Sequence, residues 1–144
     1  MIQAMCWERV VTIDYFHDGP RHGVAFLDGK PHVYDSVFDE AEDEYSDEFE
    51  LPPIDAALVP LIEERRRIQN NWALAFRAGE TSLDNHPALP VDRGRYEELN
   101  AILDPLLATK SENAPRRIAE FRIIDTIDSE HDAEVRWSLP IDSK

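Results

Sequence analysis

From Trp7 to Tyr15 the odd positions Trp7, Val11, Ile13 and Tyr15 are apolar, with Arg9 breaking the series. A period of two in β-branched and aromatic residues predicts a strand. Asp18-Gly19-Pro20 then signals a turn before a second apolar run, Val24 to Leu27. Asp28-Gly29 leads straight into a third, Lys30 to Phe38. Both residues of that dipeptide tolerate positive φ, so it predicts a tight hairpin. Pro31 has no N–H to give a ladder and belongs at a strand start or edge.

Residues 35–50 break the pattern, with nine carboxylates among Phe38, Tyr45 and Phe49. Like charge at that density resists compaction, so the expectation is a solvated loop with at most a short strand at Phe49 to Leu51. After Pro52-Pro53 the apolar spacing changes to three and four: Leu58, Leu61, Ile62, Ile68, Trp72, Ala75 and Phe76. An amphipathic helix follows, capped by Asp55, with its regular part starting near Val59, Pro60 in the first turn and Gly79 as its stop. Glu80 to Val91 reads as a loop anchored by Leu83 and Leu89. Asp92 then caps a second helix carrying Tyr96, Leu99, Ile102, Leu103, Leu106 and Leu107, with Pro105 as a kink or restart.

Alternation returns at Ala119, Phe121 and Ile123 and again at Ala133, Val135, Trp137 and Leu139, which predicts a hairpin with one wet face. Three strands, two helices and two strands make an α+β fold over residues 1–144: an antiparallel sheet of about five strands with the helix pair on its apolar face.

Charge narrows the partners. Thirty acidic against fifteen basic side chains give −15, which repels nucleic acid and anionic membranes and suits a basic protein partner. Acidity that only keeps a protein in solution accounts for the same number. Cys6 is the one cysteine, so no intrachain disulfide, zinc ribbon or Cys-x-x-Cys motif is expected; beside Trp7 it is expected to be buried. No run approaches the apolar length of a membrane span, and the N-terminus lacks the pattern of a secretory signal, so the expected place is the cytoplasm. No phosphate loop, dinucleotide fingerprint, nucleophile elbow or His-Glu-x-x-His is present, and no cofactor is expected.

Two groups of residues carry candidate chemistry. His17, Asp18, Arg21 and His22 flank the first turn, with His32 and Asp35 one strand away. Converged, they suit an anionic small molecule or metal-assisted hydrolysis, although the spacing matches no metal motif and a polar surface turn explains the same residues. Arg65 falls on the apolar face of the first helix, where it lines a ligand site or, more ordinarily, finds a carboxylate. Glu63 and Arg67, four apart, are placed to pair along that helix. The second group is the acidic segment, where Glu42, Asp43 and Glu44 with Phe38, Tyr45 and Phe49 would dock on a basic surface.

The stretch from Arg9 to Tyr15, then Asp18-Gly19-Pro20-Arg21 and Gly23-Val24-Ala25, with the later His86-Pro87-Ala88-Leu89-Pro90, resembles a group of small uncharacterised bacterial proteins. The resemblance covers about half the chain. It implies a bacterial origin and supplies no catalytic residue. Two readings therefore stand on the residues themselves: an acidic interaction module, and a small-ligand or metal-dependent hydrolytic enzyme around His17, His22 and Asp35. An exposed sheet edge would also permit a homodimer through strand pairing.

Overall fold

The computed structural model describes residues 6–13, 20–41, 43–108, 113–127 and 130–140, and of residues 38, 39, 44, 45, 124–127 and 130–132 the backbone alone. Among the described residues six strands run antiparallel in chain order: β1 (Glu8–Ile13), β2 (His22–Leu27), β3 (Lys30–Asp39), β4 (Glu44–Glu50), β5 (Arg116–Ile127) and β6 (Glu130–Ser138). β1 also pairs with β6, through Glu8 opposite Val135 and Arg9 opposite Glu134, and this closes the sheet into a barrel. Helices α1 (Val59–Arg77) and α2 (Arg93–Leu107) interrupt the strands between β4 and β5. The fold is α+β, as the alternating and helical periods indicate. Closure removes the long open edges on which the expected strand-paired homodimer depended.

Two cores result. Inside the barrel, Val10, Ala25, Leu27, Tyr34, Phe49, Leu51, Ala133, Val135 and Trp137 pack together. The four rings of Tyr34, Phe49, Phe121 and Trp137 meet at centroid distances of 5.4–6.4 Å. Trp137 donates its indole N–H to the Phe26 carbonyl at 2.9 Å, so its polar atom is satisfied within the core. Outside, Val11, Val24 and Val33 on β1–β3 pack against Val59, Ile62, Ile68, Leu99 and Leu103 of the helices.

A bulge in β1 makes the two-sided packing work. Val10 pairs with Ala25 and Thr12 with Val24, so the register skips Val11. Val10 lies in the barrel core, Val11 in the helix core, and Ile13 packs against the barrel core again. The expected common face for Val11 and Ile13 is thus wrong, because one extra residue reverses a face.

The acidic segment is the larger correction. It is a hairpin, β3–β4, with Glu40, Ala41 and Asp43 in turn conformation between the strands and Asp43 at φ +54°. Three things offset its charge. Phe49 buries itself opposite Ser36; Arg116 of β5 binds Glu48 at 3.2 Å and Glu50 at 2.7 Å; and the Ser46 hydroxyl donates to the Val37 carbonyl at 2.9 Å beside the bulge at Ser36 to Phe38.

The helical expectations fare better. α1 begins at Val59 with Pro60 in its first turn, while Asp55 caps the short 3₁₀ turn before it, accepting from Ala57 N at 2.9 Å. Asp92 occupies the cap position of α2, but its side chain makes no capping bond, and α2 runs through Pro105 to Leu107. The interhelical loop is anchored by fully buried Ala88 rather than by Leu83, which is 67% exposed. Glu63 pairs with Arg9 of β1 instead of Arg67. Cys6 is exposed, not buried. No helix among the described residues is long and apolar enough to cross a membrane.

Candidate functional site

His22 and Asp35 are direct partners in the β2–β3 register. With Val24 and Val33 they share the outer face, since the register there has no shift. His32 lies three residues from Asp35 and therefore on the opposite face. It is buried at the barrel end, with Nδ1 2.8 Å from the Lys30 carbonyl oxygen. The expected convergence of His22 and His32 fails for this reason of parity. Arg21 donates to the Ser46 carbonyl at 3.3 Å and so serves the acidic hairpin. His17 and Asp18 lie outside the described residues. Among the described residues no three His, Cys, Asp or Glu side chains gather to hold a metal ion.

The structure does bring His22 to Arg65. Both line a pocket of about 50 Å³ between α1 and the outer face of β1–β3, together with Thr12, Arg66 and Gln69 above a floor that includes Val24 and Ile62. Arg65 also has the carboxylate its apolar position calls for: Nη1 binds Asp104 at 2.7 Å and Asn100 at 3.0 Å, tying α1 to α2. Arg66 donates from Nη1 to the carbonyl of Val11, the residue the bulge leaves out of register, at 2.6 Å. Ile62, Arg65, Arg66 and Gln69 recur at helical spacing, so that side of the pocket was readable from the chain; Thr12 was not, because only the bulge turns it outward beside Val11.

The second candidate region is one end of the barrel. Glu50 of β4 lies opposite Arg116 of β5 and Glu48 opposite Ile118, so the Glu44 end of β4 and the Ile127 end of β5 point the same way. The β3–β4 and β5–β6 turns therefore share an end. Near it the register sets Asp39 opposite Glu44 and Asp125 opposite Asp132. Glu40, Asp43 and Asp47 are exposed. Of the expected docking residues, Phe49 is withdrawn from the surface, only 2% exposed in the barrel core. Phe38 and Tyr45 face each other in the register, and Glu42 lies outside the described residues.

The side of the barrel below that end is different in character. Glu120 pairs with Arg136 and Arg122 with Glu134 across β5–β6, and both guanidinium groups lie over the Trp7 ring, Arg122 at 4.0 Å and Arg136 at 4.7 Å. There each charge is answered by its opposite. No protein-family model, no curated protein and no solved structure matches this chain.

Proposed function

We propose that this chain is an acidic, non-enzymatic interaction module of the cytoplasm that binds a basic protein surface with the barrel end carrying the β3–β4 and β5–β6 turns. The observation that supports the reading is the register: Asp39 against Glu44 and Asp125 against Asp132. Acidic residues at directly opposite positions of a ladder disfavour it, and a cationic partner would relieve that cost. The β5–β6 side wall, by contrast, compensates its charges internally. Lysine and arginine side chains of a partner complement such an end, and the association is steered by charge and weakened by salt.

The test is capture of partners by the chain and by a variant carrying Glu40→Lys, Glu42→Lys and Glu44→Lys, at about 50 and about 500 mM salt, followed by reconstitution with each purified partner. Asp43 is left in place because its φ of +54° suits Asp, Asn or Gly better than Lys. The expected result is a basic partner bound at low salt, released at high salt and lost with the variant. A variant that keeps every partner at low salt overturns the reading.

A further inference from the structure

The pocket beneath α1 carries chemistry opposite to that of the chain as a whole. The protein has a net charge of −15, yet the lining includes two arginines, a histidine, a glutamine and a threonine and no carboxylate. We infer that this pocket binds a compact oxyanion, a phosphate or a carboxylate group.

Arg65, Thr12 and Gln69 are each held in a way that leaves a donor for a ligand. All the hydrogen bonds of Arg65 leave from Nη1, so among the described residues its Nε and Nη2 make none. Those two nitrogens form the planar fork that matches an oxyanion bidentately. Asp104 and Asn100 fix the guanidinium beforehand, which reduces the ordering cost of binding. The Thr12 hydroxyl accepts from Val24 N at 3.1 Å, so its own proton is directed elsewhere and can serve a ligand. Gln69 uses its amide nitrogen on the Tyr96 hydroxyl at 3.3 Å, a long contact that a better acceptor would displace. Val24, Val33 and Ile62 line the same pocket and keep part of it dry, which strengthens any charge-assisted hydrogen bond made there.

Size sets the ligand class. A volume of about 50 Å³ corresponds to roughly three or four water positions, enough for one oxyanion group and far too small to enclose a nucleotide or a peptide. The inference is independent of the acidic end, which lies on different residues.

The test is an amide NMR titration of the full chain with inorganic phosphate and, separately, acetate, with ionic strength held constant by chloride. Saturable shifts at the Thr12, Gly23 and Val24 amides and at the Gln69 side-chain amide are expected. The tighter of the two anions identifies the head group as tetrahedral or planar. Gln69→Glu puts a carboxylate at an exposed position on the pocket's rim and is expected to weaken binding at least about tenfold. Arg65→Gln is expected to do the same; should loss of the Asp104 tie unfold that chain, Gln69→Glu decides. Shifts that rise linearly and equally with chloride, or an unchanged affinity in Gln69→Glu, overturn the inference.

Discussion

Gly23 shows how one residue can hold the two cores in register. A Cβ there would lie 2.2 Å from the Thr12 carbonyl oxygen and 2.7 Å from the Tyr34 hydroxyl, which itself donates to that carbonyl at 2.8 Å. Tyr34 is fully buried in the barrel, so its hydroxyl needs this partner, and the bond passes through the space a side chain would fill. Gly23→Ala is expected to destabilise the fold by about 3 kcal/mol, because the nearest atoms are backbone and cannot swing aside. Tyr34→Phe, which removes the buried hydrogen bond to the Thr12 carbonyl, should cost about 1–2 kcal/mol. Urea unfolding checks both, and a Gly23→Ala chain as stable as the parent would refute the close approach. Neither residue stood out in the sequence, where Gly23 was one glycine of five and Tyr34 one position in an apolar run.

Among the elements, the β2–β3 hairpin was the most legible, because its turn dipeptide is itself a local signal. Asp28 and Gly29 both adopt positive φ, at 55° and 79°, as the dipeptide predicts. The turn gains a partner that no local pattern announces: the Glu8 carboxylate accepts from Asp28 N at 2.8 Å and Gly29 N at 2.9 Å. Gly29→Ala should therefore lose about 1 kcal/mol through its φ, measurable as a lower melting temperature, while Glu8→Gln should lose less. The acidic hairpin was illegible for the converse reason. Its nine carboxylates argue against a strand when read along the chain, and what overrides them is Arg116, distant in sequence and adjacent in space. The pocket falls between these cases. Helical spacing gathers Arg65, Arg66 and Gln69, but the bulge that brings Thr12 to them leaves no trace in composition.

For the molecule as a whole, the surplus of negative charge makes stability sensitive to pH at identifiable places. Arg95 binds both carboxylate oxygens of Glu64 at 2.8 Å, and this hydrogen bonding holds the Glu64 carboxyl below its ordinary range. A depressed folded value means the pair stabilises above the unfolded pKa near 4.5 and that this contribution disappears as pH falls through the folded value. Glu64→Gln is accordingly expected to be less stable than the parent at neutral pH and equal to it in strong acid, by urea unfolding at about pH 7 and about pH 2. An equal difference at both would show that packing, not charge, is at stake.

The seam of the barrel has a consequence for synthesis. β1 emerges first from the ribosome and β6 last, yet among the described residues two register pairs between them close the sheet. Until β6 is made, the nascent chain carries two unsatisfied strand edges, on β1 and on β5, both able to accept a foreign strand. A chain stopped after Ile127 would keep both helices and still have that liability, so premature termination should yield aggregates rather than a smaller soluble fold. β6, by pairing with both β1 and β5, is then the strand that removes both exposed edges at once.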